Sequence, residues 1–136
     1  MKSIVVGWAP GELLPDSRGK SKVPENYRSA ILGRAYQMGS ARKETATTAL
    51  EVIDNWALVP GTEIEVYGVW GDLCVSILVA HCLDRGLKVY VPKGCTANYP
   101  RIKGSLNSFV KDSANSLGIC YETWPWREYR IFEPVL

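Results

Sequence analysis

IEVYGVWGDLCVSILVAHCLDRGLKVYV, residues 64–91, decides how this chain is read. It opens with a β-branched and aromatic run, Ile64–Val69, that reads as a buried strand. Helical spacing takes over across CVSILVAHCLDRG and stops at Gly86, and LKVYVPKG reads as a second strand. Strand, helix and strand follow one another through short links, and both strands are apolar enough to be covered on both faces. That is the pattern of two parallel strands joined by a right-handed crossover helix.

The same logic extends outward in both directions. Ser3–Gly7 is a short apolar run closed by glycine, which predicts a first strand. WAPGELLPDSRGKSKVP follows as a long loop of Pro, Gly and charge, and long loops in compact domains are often functional. From Glu25 to Met38 the residues Tyr27, Ile31, Ala35 and Met38 fall at helical spacing, with Gly39 as the stop. A second helix is expected from about Lys43 to Ala57, its inner stripe Ala46, Leu50, Ile53 and Ala57. Beyond the opening stretch, YPRIKGSLNSFVKDSANSLG predicts a helix carrying Ile102, Leu106, Phe109, Val110 and Leu117. ICYETW predicts a final strand, and PWREYRIFEPVL an irregular aromatic tail. The rings of Trp124, Trp126, Tyr129 and Phe132 would cover a sheet edge or meet another subunit. The expected fold is α/β, a single domain over residues 1–136, with three layers: a mostly parallel sheet and helices on both faces.

Composition narrows the function classes. With 136 residues the chain can hide roughly 68% of its unfolded surface, enough for a core without staples. Sixteen basic and fourteen acidic side chains leave a net charge of +2, which gives no electrostatic case for nucleic acid or a membrane surface. MKSIVVGW is too short an apolar run for a signal peptide or a bilayer span. The four cysteines, Cys74, Cys82, Cys95 and Cys120, lack CxxC spacing, so reduced thiols and a cytoplasmic location are expected. No GxGxxG or P-loop pattern implies a nucleotide cofactor, and no cofactor is expected. His81 is the one histidine, which argues against a metal centre. Arg18, Lys20 and Lys22 form a small basic run in the first loop, solvated or close enough to a strand end to meet an anion.

Cys74 stands where a strand ends and a helix begins. Open parallel sheets collect ligands at the carboxyl ends of their strands. The first turn of a helix offers unpaired N–H groups and the positive end of the dipole, which favours a thiolate and could also receive an oxyanion. Asp72 reads as an N-cap. The alternative reading of Cys74 is a small buried hydrophobe, the usual state of a free cysteine. Cys82, two turns into the helix, and Cys120, inside a strand, have no helix start beside them and serve as controls.

From Ile64 to Trp124 the chain resembles the C-terminal half of the isochorismatase-like cysteine hydrolases, a family that includes nicotinamidases. The matching parts are the strand ending Gly68-Val69, then Asp72-x-Cys74-Val75, a helix ending Arg85-Gly86, a strand, the Cys95-Thr96-Ala97 segment, a long helix and a last strand. They cover about 60 of the 136 residues. The resemblance implies a Cys-Lys-Asp triad whose cysteine, here Cys74, attacks a carbonyl to form a thioester that water hydrolyses. The lysine in the corresponding place is Lys43, whose ammonium would lower the thiol pKa. The family also has a non-proline cis peptide bond, here Val69–Trp70, and an oxyanion hole made by backbone N–H groups, here those of Trp70 and Cys74.

Three departures stand out. The aspartate that closes the family's first strand is replaced by Gly7-Trp8, and Asp16 is the nearest carboxylate offered as base, with Glu12 a weaker stand-in. Gly71 replaces a small residue, usually threonine, and Trp70 is bulkier than usual, so that it either walls the pocket or blocks it. The segment between the first strand and Lys43 is short. The expected site is therefore Cys74, Lys43 and Asp16 for catalysis, with Trp8, Trp70, Gly71 and Asp72 around the substrate. The expected activity is hydrolysis of a small amide or related C–N compound in a homo-oligomer. The alternative is an impaired protein of the same fold that only binds a small ligand or a protein partner.

Overall fold

The computed structural model describes residues 2–39 and 41–118; the expected strand at 119–124, Cys120 and the aromatic tail lie outside the described residues. The elements run β1 (Lys2–Val6), α1 (Glu25–Gln37), β2 (Arg42–Glu44), α2 (Ala46–Trp56), β3 (Glu63–Val69), a single π turn (Gly71–Val75), α3 (Ser76–Asp84), β4 (Lys88–Tyr90), β5 (Thr96–Ala97) and α4 (Leu106–Ser116). All described pairings are parallel, in the order β2-β1-β3-β4, with β5 also on β3. β4 pairs with the start of β3 and β5 with its end, so the two act as one interrupted edge strand. The fold is α/β, as the strand–helix–strand pattern predicts.

Alternation along the strands divides the core into two layers. Ile4, Val6, Ile64 and Val66 point to one face, where they meet Ala49 and Ile53 of α2, Leu78 and Cys82 of α3, and Val110 of α4. Val5, Tyr67 and Val69 point to the other, where they meet Ile31 and Ala35 of α1 together with Leu13 and Trp70. The second face also buries charge. Glu65, 1% exposed, receives the Arg34 guanidinium bidentately, Nε to Oε1 and Nη2 to Oε2 both at 2.6 Å. That pair fastens α1 to the middle of the sheet.

Two expected elements are drawn differently. The helix placed from Lys43 begins at Ala46, because Arg42–Glu44 pairs with Ile4–Val6 as a short outer strand; three charged residues suit an edge and carry no strand signal. Among its described side chains the buried ones are Ala49 and Ile53, whereas Ala57, at φ +48°, ends the helix in an exposed left-handed turn. The last helix starts at Leu106, not near Tyr99. Ser105 caps it by accepting from Ser108 N–H at 3.2 Å, and Ile102 and Leu117 are exposed. No described helix is long and apolar enough to cross a membrane.

Candidate active site

The strand order puts β1 between β2 and β3, so the chain leaves β1 toward one side and returns on the other. In a parallel sheet that switch opens a crevice at the carboxyl ends of the two strands, here between the residues after Val6 and those after Val69. Both strand ends are glycine-dependent. Gly68 takes φ +117°, and a Cβ there would lie 2.1 Å from the Val6 carbonyl oxygen. Gly7 takes φ +86°, and a Cβ there would lie 2.5 Å from Val69 Cγ2. The two rims can approach this closely only without side chains at these positions.

Beyond Gly7 the chain doubles back instead of leaving the sheet. Ala9 and Leu13 both donate their N–H to the Gly7 carbonyl, at 2.8 and 3.2 Å, and Glu12 N–H donates to Ala9 O at 3.1 Å. Leu13 is fully buried, and Arg28 Nε of α1 donates to its carbonyl at 2.8 Å. Ser21 Oγ donates to the Glu12 carbonyl, so the later part of the loop pins the turn down. Glu12 is thereby held at the β1 rim, with Oε2 buried and without a hydrogen-bond partner among the described residues.

Beyond Val69 the Val69–Trp70 peptide bond is cis. The chain then enters the π turn, in which Leu73 and Val75 N–H both donate to Trp70 O, at 3.1 and 3.0 Å. Cys74 lies in this turn, half-buried. Burial pushes its thiol pKa above the ordinary value. The backbone N–H groups of Trp70 and Cys74 act to lower it, while the charges of Glu12 and Asp72 push it up. The net direction is opposite to the activated thiolate expected from a helix start. Desolvation and two nearby carboxylates outweigh the two N–H groups.

The remaining expected site residues divide. Asp16 is not the carboxylate at the sulfur. Its Oδ1 accepts from Arg18 N–H at 2.8 Å and Lys20 N–H at 2.9 Å, closing its own exposed turn, and the Lys20 and Arg18 bonds hold its pKa low. Glu12, the weaker stand-in by sequence, is a residue whose charge, with that of Asp72, acts on Cys74. Lys43 lies on β2 beside Val5 with its ammonium 5.3 Å from the Trp8 ring centroid, a cation–π contact. Trp8 is half-buried against the α1-side core. The Trp70 ring is also core, 5% exposed, and meets the Tyr99 ring edge-on at 5.0 Å. Of Trp70, only the backbone N–H acts on the Cys74 titration.

Gly71 and Asp72 join segments of the chain. A Cβ on Gly71 would lie 2.7 Å from Asn98 Oδ1 and 2.9 Å from Thr96 Cγ2, so glycine lets β5 close against the π turn. Asp72 does not cap the turn; its Oδ1 accepts from Tyr99 N–H at 2.8 Å and ties the segment after β5 to the residues beside Cys74. No group of three or more His, Cys, Asp or Glu side chains suited to a metal ion occurs among the described residues. No family model, curated protein or solved structure matches the chain.

Proposed function

We propose that this protein is a small cysteine hydrolase of the isochorismatase-like kind, cleaving an amide or related C–N bond through a thioester. The observation that carries the reading is that Cys74 sits in the turn after β3, at the crevice between β1 and β3, where the Trp70 and Cys74 N–H groups and the charge of Glu12 all act on its titration, and where Glu12 Oε2 is buried without a hydrogen-bond partner among the described residues.

In the proposed reaction Cys74 rests as a neutral thiol, because burial and the neighbouring carboxylates disfavour its anion. On attack, Sγ bonds to the substrate carbonyl carbon and its proton passes to Glu12. The carbonyl electrons move to oxygen, where the N–H groups of Trp70 and Cys74 stabilise them. Collapse of the tetrahedral species breaks the C–N bond, and Glu12 returns the proton to the departing nitrogen. Water then attacks the thioester, again losing a proton to Glu12, and the thiolate leaves with that proton as the acid is released. Glu12 takes the role that sequence alone assigns to Asp16. Lys43, held over the Trp8 ring, is not among the groups that act on the resting thiol.

The alternative is a protein of this fold that binds a ligand without turnover. The upward pKa of Cys74 and the Lys43 ammonium parked over Trp8 favour it. A panel of small primary amides, assayed by ammonia release together with intact-mass trapping of an acyl adduct, separates the two readings. Release that disappears in Cys74→Ala, with an adduct on Cys74 in the parent chain, supports hydrolysis. Saturable binding of the same amides with no ammonia and no adduct selects the binding protein.

A further inference from the structure

A cavity of about 430 Å³ lies between the start of α1 and the segment from β5 to α4. Its volume falls within the range of small-molecule sites. Cys74 and Glu12 are not among the residues that line it; its Thr96–Tyr99 wall is the segment that packs against Gly71 and Asp72. Much of its wall is apolar or aromatic, including Tyr27, Val91, Tyr99, Ile102 and Leu106. Among the described residues, Arg101 is the one charged residue on the wall, and no Asp or Glu lines it. The positive end of α4, at Leu106, borders the same space.

The setting of Arg101 is unusual. Tyr99 to Ile102 form a turn closed by Ile102 N–H to Tyr99 O at 3.0 Å, with Pro100 in the second position. Arg101 takes φ +72° in the third position, which a type II turn reserves for glycine. Any residue with a Cβ is strained there where glycine would not be, and such outliers cluster at functional sites. Lys22 adds a second cation nearby, its Nζ 5.6 Å from the centroid of the Tyr99 ring that forms part of the wall.

We propose that this cavity binds a small organic anion, a carboxylate on a ring or short apolar body, with Arg101 as its charge partner. The body lies against the aromatic and aliphatic wall while the carboxylate meets the guanidinium. The inference does not depend on hydrolysis at Cys74.

The test is a titration of the ¹⁵N-labelled full chain with benzoate, followed by amide chemical shifts and repeated with benzyl alcohol as the neutral counterpart. Saturable shifts centred on residues 96–106 are expected, with benzyl alcohol failing to saturate over the same range. Arg101→Gly should weaken benzoate binding by about ten- to a hundredfold, the loss of one charge-assisted contact. Its melting temperature should equal or exceed that of the parent, because glycine accepts the turn. Cys74→Ala should bind benzoate as the parent does, whether or not the parent hydrolyses amides. The proposal is overturned if no shifts saturate, if Arg101→Gly or benzyl alcohol matches the parent with benzoate, or if the shifts centre on Trp8, Glu12 and Cys74.

Discussion

The π turn Gly71–Val75 and the helix α3 that continues it differ in almost everything except the presence of a thiol. In α3, Leu78, Val79, Ala80, Cys82 and Leu83 are all buried, and burial drives the Cys82 pKa to about 12. In the π turn, Cys74 is half-buried, and backbone N–H groups and the charges of Glu12 and Asp72 act on its titration. Burial raises both pKa values, so a raised pKa alone does not separate a packing residue from a reactive one. The separation lies in which groups face the sulfur, and that depends on how the chain leaves β1 and β3.

If the contrast holds, substitutions in the two regions fail in different ways. The largest effect belongs to Cys74→Ala, which should abolish amide turnover and acyl-adduct formation while leaving the melting temperature within a few degrees of the parent. Cys82→Ser should do the reverse. A hydroxyl placed in that apolar packing lacks a partner and should cost about 1–3 kcal/mol in denaturant unfolding, with turnover retained at permissive temperature. Glu12→Gln should lower turnover by about 10²–10⁴-fold, the usual contribution of a general base.

Away from the rim, Arg34→Met leaves the buried Glu65 carboxylate without its partner. The expected loss is about 3–5 kcal/mol, read as a lower urea midpoint. Alkaline pH gives a smaller and more gradual effect. The folded-state pKa values of Cys82 and Cys95 lie at about 12 and about 11, above the ordinary 9.0, so the folded state holds these protons longer than the unfolded chain. Their contribution is complete below about pH 9 and is lost as pH rises through 9 toward 11–12. Cys82→Ala should flatten that alkaline decline in urea midpoints measured from pH 8 to 11. Smallest of all is Lys43→Met. It removes a contact with Trp8, worth about 0.5–1 kcal/mol, and should leave the Cys74 titration nearly unmoved.

Local chemistry made the parallel sheet legible. Ile64–Val69 reads as a strand because its β-branched residues fill both faces, and Ile31 and Ala35 lie on the buried side of a helix whose spacing is plain. β2 was hidden because Arg42–Glu44 is charged and its pairing with β1 is non-local. The start of α4 was overdrawn because Ile102 and Leu106 share helical spacing, while the Ser105 cap and the turn at Pro100–Arg101 mark the true boundary. At the site, Cys74 was legible as the residue after a strand end. The identity of the carboxylate was not. Nothing local distinguishes Glu12 from Asp16, and the choice is made by two N–H groups closing on the Gly7 carbonyl and by Leu13 burying itself beneath. The helix-start argument for Cys74 counts N–H groups but neither the burial of the thiol, which is the largest cause of its raised pKa, nor the charge of Glu12 brought in by the loop after β1.

The most direct measurement is the pH dependence of Cys74 alkylation by iodoacetamide, with the adduct located by mass spectrometry, in the parent chain, Glu12→Gln and Asp16→Asn. Removing the Glu12 charge should shift the Cys74 midpoint to lower pH, even as it lowers turnover, and Asp16→Asn should leave the midpoint where it was. A midpoint unchanged in Glu12→Gln, or one that moves with Asp16→Asn instead, would contradict the pairing of Glu12 with Cys74.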